Sequence, residues 1–183
     1  MTLAARKWNR AEYQKMGETG LLGPEERVEL IQGEIVRMTP IDPLHACAVD
    51  LVTEIMVKNF SQTHQVRVQG PVGIGDHSEP QPDLCLIPKA LFGELVKKRM
   101  HPEHVDLLVE VANTSLSYDR GRKLRLYASG GYPLYWIVNL KQGRLEVYSQ
   151  PEGTRYAVSA CLSLDDQVDL LGKSLLVKDF FPA

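Results

Sequence analysis

The sequence predicts one α/β (α+β) domain in which helices flank a mixed β-sheet. Residues 106 to 112, DLLVEVA, form an apolar run rich in branched side chains, which is typical of a central strand buried on both faces. Residues 135 to 138, YWIV, form a second such run. The basic stretch between the two runs ends at Gly130-Gly131, a helix stop signal. Strand, helix and strand in this order predict a βαβ-like unit.

Length and composition indicate a single domain that spans residues 1 to 183. The formal net charge of -2 excludes a global positive field, so any surface that binds nucleic acid must be locally basic. The polar N-terminus does not resemble a signal peptide, and no apolar run is long enough to span a bilayer. We therefore expect a cytoplasmic protein with no membrane partner. The three widely spaced cysteines predict neither a disulfide framework nor a thiolate zinc site.

The first half of the chain predicts two helices, an N-terminal β-hairpin and two short strands. Residues 8 to 16 predict a short helix that ends at two nearby glycines. Residues 27 to 39, RVELIQGEIVRMT, predict the hairpin, with its turn at Gln32-Gly33. Residues 45 to 60 carry apolar side chains at the i, i+3, i+4, i+7 spacing of an amphipathic helix. The two strands, residues 65 to 70 and 84 to 87, are joined by a loop that contains glycine and proline.

The second half adds a basic connection and three further elements. Residues 89 to 104 predict a helix or an exposed lid, in which Lys97, Lys98 and Arg99 either contact phosphate or remain solvated. Residues 144 to 148 predict a half-exposed strand that pairs with residues 156 to 158. Residues 175 to 181 predict a closing strand or a helical cap.

Two carboxylates are candidates for chemistry. Glu110 lies inside an apolar strand, where a charge is costly unless it is paired, hydrogen-bonded or bound to a metal. Asp83 stands at the start of another buried strand. If the strands are neighbours, both acids can bind one divalent cation such as Mg²⁺ or Mn²⁺. The alternatives are a turn residue for Asp83, and a partner for a buried arginine or a backbone cap for Glu110.

Lys123 is the third candidate, because a lysine near a metal-bound water can orient the water and stabilise developing negative charge. The alternative is a solvated charge in an arginine-rich helix. Lys123 shares a helical face with Asp119 and Tyr127, four residues to either side, and with Leu124. This spacing favours a face that is turned toward the sheet.

Four ordered motifs carry a family resemblance: PD at 82–83, VEVANTS at 109–115, DRGRK at 119–123 and YASGGYPLYWIV at 127–138. Together they resemble the Uma-type restriction endonucleases of the PD-(D/E)XK nuclease superfamily. The resemblance extends upstream through ELIQGEIVRMTP, residues 29 to 40, and His45, and covers nearly the whole chain. It implies a restriction-endonuclease-like fold with a four-stranded mixed core sheet, and Asp83 and Glu110 as metal ligands.

The chain departs from the superfamily pattern at one position. That pattern places a lysine two residues after the glutamate on the same strand face, and this chain has Ala112 there. The resemblance implies that Lys123, supplied by the following helix and held by Asp119, takes this role. Glu34 matches a family position and is either a third acid that supports the metal ligands or an exposed hairpin charge. Glu29 ranks below it.

The leading hypothesis is a metal-dependent nuclease that hydrolyses phosphodiester bonds, with DNA as substrate and Mg²⁺ or Mn²⁺ as cofactor. Asp83 and Glu110 hold the cation, Lys123 assists the attacking water and Glu34 supports the site. Ala112 and the modest net charge motivate a second hypothesis, a catalytically inactive binding or assembly module of the same fold. A hydrolase of small phosphoesters is a third. Superfamily analogy also suggests a homodimer.

Overall fold

The computed structural model describes residues 5–23, 25–96 and 100–182. The helices are α1 (Arg10–Glu18), α2 (Pro43–Phe60), α3 (Lys89–Phe92), α4 (Leu116–Tyr118) and α5 (Leu124–Ser129). The strands are β1 (Val28–Ile31), β2 (Glu34–Arg37), β3 (His64–Val68), β4 (Leu84–Pro88), β5 (Leu107–Ala112), β6 (Leu134–Asn139), β7 (Arg144–Glu152), β8 (Arg155–Ser163), β9 (Gln167–Leu170) and β10 (Lys173–Leu176). Short 3₁₀ turns cover Gly93–Val96, Pro102–His104 and Val177–Phe180.

The central sheet has six strands in the order β3-β4-β5-β6-β7-β8. Strands β5 and β6 run parallel, and the other neighbours are antiparallel. The predicted mixed sheet flanked by helices is therefore confirmed, as is the βαβ-like unit. The sheet is wider than the four-stranded core that the family resemblance implied, because β7 and β8 extend it. The hairpins β1-β2 and β9-β10 form separate two-stranded sheets.

Two apolar cores, one on each face of the sheet, explain the helix positions. On one face, Val52, Met56 and Phe60 of α2 pack with Trp136 and other strand residues. The core on the other face includes residues of α5. All six residues of β5 are buried, as expected for a central strand covered on both faces. Glu110 projects on the α5 face because side chains alternate along a strand.

The helical segment after β5 contains a π turn. The turn covers Asp119–Lys123 and joins α4 to α5 into one continuous helix. A π turn contains one residue more than an α-helical turn and occurs frequently at functional sites. Asp119 and Lys123 at its two ends are both buried. The helix ends before Gly130 and Gly131, as the sequence predicted, and Gly131 has a positive φ of 78°.

Several elements differ from the predictions at their ends. Residues 173 to 181 form both a strand and a 3₁₀ turn, and β10 pairs with β9, a strand that the sequence analysis did not assign. The connection predicted as a helix or an exposed lid, residues 89 to 104, contains the short helix α3 and two 3₁₀ turns in its described part. Its basic residues Lys97, Lys98 and Arg99 lie outside the described residues. No helix in the described ranges is long and apolar enough to cross a membrane.

Candidate active site

A cleft of about 300 Å³ opens beside the β4 and β5 strands. The hairpin β1-β2 and the segment that follows it contribute to its lining, and so does the connection from β5 to α4. The ionisable side chains that line the cleft are Arg27, Glu29, Arg37, Asp42, His45, Asp83, Tyr118, Glu110, Asp119 and Lys123. Asp83, Glu110 and Lys123, the three residues predicted to converge, are therefore in one cleft.

Asp83 lies opposite Glu110 across neighbouring strands. The β4-β5 register pairs Leu84 with Val109, so the preceding residue, Asp83, comes opposite Glu110. Such cross-strand neighbours have Cβ atoms about 5 Å apart. Oδ2 of Asp83 accepts hydrogen bonds from the Val111 backbone N–H at 2.9 Å and from His45 Nε2 at 3.1 Å. The sheet register therefore positions the two acids side by side.

Glu110 is a buried carboxylate with two donors on one oxygen. Its Oε1 accepts hydrogen bonds from Lys123 Nζ at 2.8 Å and from the Tyr127 hydroxyl at 2.7 Å. Burial raises the pKa of Glu110 well above its ordinary value, Lys123 opposes this shift, and the negative charge of Asp83 adds to it. The carboxylate therefore depends on a nearby cation to stay ionised.

Lys123 supplies a cation within the described site. Its Nζ lies 2.8 Å from Glu110 Oε1 and 3.6 Å from Glu29 Oε2. Burial alone would lower the pKa of Lys123, but the charges of Glu110, Glu29 and Asp119 outweigh it and raise that pKa. The ammonium group therefore stays protonated. The helix after β5 supplies this ammonium group. The strand position two residues after Glu110, where the superfamily pattern has its lysine, holds the small, fully buried Ala112.

Glu29 occupies the place that the sequence analysis gave to Glu34. Glu29 is 2% exposed in β1, and its Oε1 accepts a hydrogen bond from the Tyr118 hydroxyl at 3.2 Å. Its Oε2 accepts one from the Gln81 backbone N–H at 3.2 Å and faces Lys123. The signal for Glu29 was present in the sequence. Like Glu110, it is a carboxylate inside an apolar strand.

The expectation that Glu34 supports the cleft acids is corrected. Glu34 follows the hairpin turn, is exposed, and pairs with Lys7 and Arg122 at 2.6 Å each. These pairs lower its pKa to about 2, with the Lys7 hydrogen bond as the largest cause. Glu34 does not line the cleft. Its position beside the turn directs it toward the surface, which matches the alternative of an exposed hairpin charge.

His45 and Asp119 complete the site. Asp42 is the N-cap of α2, and its Oδ1 accepts a hydrogen bond from the His45 backbone N–H at 3.0 Å. The His45 ring contacts Asp83, and this hydrogen bond raises the pKa of His45. Its Nδ1 is buried and has no hydrogen-bond partner among the described residues. Asp119 accepts a hydrogen bond from Ser115 Oγ at 2.6 Å, and burial raises the pKa of Asp119 to about 6.

Comparison with known proteins assigns the family. The Uma2 family model, described as "Putative restriction endonuclease", matches residues 10–175. The chain belongs to the Uma2 family. No curated protein matches the sequence.

One similar solved structure is the crystal structure of "a putative nuclease belonging to DUF820" from Anabaena variabilis ATCC 29413. It shares 16% sequence identity with this chain, with a TM-score of 0.73. The match covers 93% of this chain and 96% of that chain. At this identity the likeness shows the fold alone, and that fold agrees with the restriction-endonuclease-like architecture expected from the sequence.

The donor set of this Uma2 chain fits a hard divalent cation. Oδ1 of Asp83 and Oε2 of Glu110 accept no hydrogen bond from the described residues, so each acid has one free oxygen. Mg²⁺ prefers oxygen ligands and typically uses one or two carboxylates, with water and substrate at its other positions. Among the described residues, no group of three or more His, Cys, Asp and Glu side chains is arranged to hold a metal ion.

Proposed function

We propose that this Uma2-family protein is a metal-dependent endonuclease that hydrolyses phosphodiester bonds in DNA, with Mg²⁺ or Mn²⁺ as its cation. The observation that carries the proposal is the buried pair Asp83 and Glu110, each with one free oxygen, beside the protonated Lys123. The family description supports the nuclease class. A cytoplasmic location and a homodimer, both expected from the sequence, remain part of the proposal.

Asp83 and Glu110 would hold the cation through Oδ1 and Oε2. When bound, a divalent cation lowers the pKa of a coordinated water and offsets negative charge in the transition state. His45 and the Val111 backbone N–H hold the other oxygen of Asp83, which leaves Oδ1 for the cation. Lys123 and Tyr127 donate hydrogen bonds to Oε1 of Glu110, which leaves Oε2 for the cation.

Lys123 acts as a hydrogen-bond donor in this mechanism. Its raised pKa means that it holds its proton at neutral pH, so it cannot serve as the general base. The N–H groups of its ammonium can orient the attacking water and stabilise negative charge on a phosphate oxygen. Glu29 and Asp119 keep the ammonium charged and in place, which is the supporting role first assigned to Glu34.

Arg27 and Arg37 would hold the substrate backbone. Both line the cleft, and neither takes part in an ion pair between described residues. A guanidinium without a protein partner is well suited to a bidentate contact with phosphate. The acids of the cleft repel the DNA backbone, and the net charge of -2 means that the chain as a whole does not attract it. The two arginines therefore supply local attraction at the cleft. They would position the DNA without reading its sequence.

The test is cleavage of plasmid and oligonucleotide DNA with Mg²⁺ or Mn²⁺ by the wild type and by Asp83→Asn. We expect Asp83→Asn to lose roughly 100-fold or more in rate, the order of loss seen when one group that stabilises transition-state charge is removed. Glu34→Gln is the matched control, because it changes a carboxylate outside the cleft, and it should cleave like the wild type. Equal cleavage by wild type and Asp83→Asn would refute the proposal.

A second candidate function is a catalytically inactive binding or assembly module. Ala112, in the position of the usual strand lysine, favours it. Calorimetry with Mn²⁺ separates the two candidates. Absence of cation binding, together with absence of cleavage of any nucleic acid tested, would support the module. Cleavage of small phosphoesters but not of DNA would instead support the third hypothesis from the sequence.

A further inference from the structure

Strand β8 forms one edge of the six-stranded sheet and is left uncovered there. It spans nine residues and pairs with β7 on one side. In an antiparallel ladder, alternate residues direct their N–H and C=O groups away from the partner strand. No backbone hydrogen bond from the described residues reaches the outer edge of β8 between residues 155 and 162. These groups form an open template for another strand.

Charged residues and proline, two of the usual protections of a sheet edge, are missing from residues 156 to 162 of β8. Edge strands commonly carry lysine, proline or a bulge that prevents pairing with other chains. Residues 156 to 162, YAVSACL, contain no charged residue and no proline. The β7-β8 ladder is interrupted once, at Gln150, which has a φ of 59° and is not paired with Ala157, and it is regular from Val158 to Ser163. Residues 157 to 161 are exposed, which leaves both faces of the strand open, and Val158 is 47% exposed. The opposite edge, β3, has only five residues and carries Arg67.

We propose that β8 pairs antiparallel with β8 of a second copy of this chain, about a two-fold axis at Ser159. This axis places Val158 opposite Ala160, so two exposed apolar side chains meet there. Tyr156 and Leu162, which also come opposite each other, pack into the cores on opposite faces of the sheet and do not meet. The strand carries no charge between residues 156 and 162, so self-pairing brings no like charges together. At each end Arg155 comes opposite Ser163 of the other copy, close to the acidic residues that follow it.

A second copy fits this edge better than an unrelated charged strand. The same surface serves both partners in a two-fold interface, so the strand must complement itself, and its exposed, uncharged residues 157 to 161 do so in size and polarity. Pairing would satisfy the outer N–H and C=O groups of both strands and cover Val158. It would also join the two sheets into one continuous sheet of twelve strands, twice the six of a single copy.

The test is the mass of the full chain by sedimentation velocity, under reducing conditions, from low micromolar to several hundred micromolar protein. The wild type should dimerise as concentration rises. Val158→Lys and Ala160→Lys should each weaken the dimer at least about tenfold, because every pairing then brings added like charges together at the interface. Leu21→Lys is the matched control: Leu21 is 70% exposed and lies far from β8 in the sequence.

Two results would overturn the inference. One is a wild type that stays monomeric at every concentration, and the other is dimerisation of Val158→Lys that matches that of Leu21→Lys. Val158 and Ala160 are exposed, so we expect both lysine variants to fold. Urea unfolding of each variant verifies this. The axis is tested by Ser159→Cys in a Cys161→Ser background. Oxidation should yield a covalent dimer, and no cross-link would refute pairing at Ser159. None of these readouts depends on nuclease activity.

Discussion

Replacing Lys123 with methionine tests the electrostatics of the cleft most directly. Methionine keeps most of the side-chain volume but removes the ammonium group from between Glu110 and Glu29, whose oxygens lie 2.8 and 3.6 Å from Nζ. Removal of one partner from a buried ion pair costs about 3–5 kcal/mol, because the remaining charge loses its compensation. For a chain of this length, that loss corresponds to a fall in Tm of roughly 6–20 °C.

The loss should depend on pH. In Lys123→Met the folded-state pKa of Glu110 lies further above its unfolded value, because the opposing charge is gone. The folded state then binds more protons than the unfolded state, so stability falls as pH rises between those two pKa values. The deficit relative to wild type is therefore smaller at about pH 5, where Glu110 takes up a proton, and larger at about pH 8.

Urea unfolding followed by far-UV circular dichroism at these pH values measures the deficit. Arg125→Met is the matched control, because Arg125 is an exposed cation in the same helix. Its effect should stay within about 0.5 kcal/mol, as for most surface changes. A loss below about 1 kcal/mol for Lys123→Met, or the same loss at both pH values, would refute the view of Lys123 as the charge that holds Glu110 ionised.

Three further outcomes are expected. Glu29→Gln should lower the rate of DNA cleavage about tenfold or more, whereas Glu34→Gln should leave it unchanged; equal rates would return Glu34 to the mechanism. Affinity for Mn²⁺, measured by calorimetry, should rise between about pH 6 and pH 8, because protons compete for the buried carboxylate of Glu110; a flat profile contradicts its raised pKa. Arg120→Lys removes the two hydrogen bonds of the guanidinium to Glu146, at 2.7 and 2.8 Å. It should reduce the free energy of unfolding, measured with urea, by about 1–3 kcal/mol. No change would mean that lysine replaces both bonds.

Features that depend on local sequence were predictable. The hairpin turn at Gln32-Gly33 needs two positive φ angles, and the structure has 52° and 78° there. The buried strands β5 and β6 were visible as apolar runs, and the helix between them ended at its glycines. The cross-strand position of Asp83 and Glu110 followed once those strands were taken as neighbours. The turn, the strands and the helix end required only residues close together in the chain, whereas the position of the two acids also required the assumption about neighbouring strands.

Features that depend on distant contacts were not predictable. Glu29 was visible as a carboxylate in an apolar strand, but its place in the site depends on Lys123 and Tyr118, each about half the chain away. His45 opens a helix like many capping residues, and only the packing of α2 against the sheet brings its ring to Asp83. Glu34 lies on the same face of the hairpin as Glu29, but it sits beside the turn, where Lys7 and Arg122 pair with it outside the cleft.

The extra residue in the helix after β5 changes which way its two tyrosines face. Tyr118 and Tyr127 are nine residues apart, and at about 100° per residue a regular α-helix would direct them to opposite sides. Both hydroxyls nevertheless reach acids of the cleft, Tyr118 to Glu29 and Tyr127 to Glu110. The wider turn between them reduces the angular separation. One inserted residue thereby lets a single helix contribute three donors, two hydroxyls and an ammonium, to the same group of carboxylates.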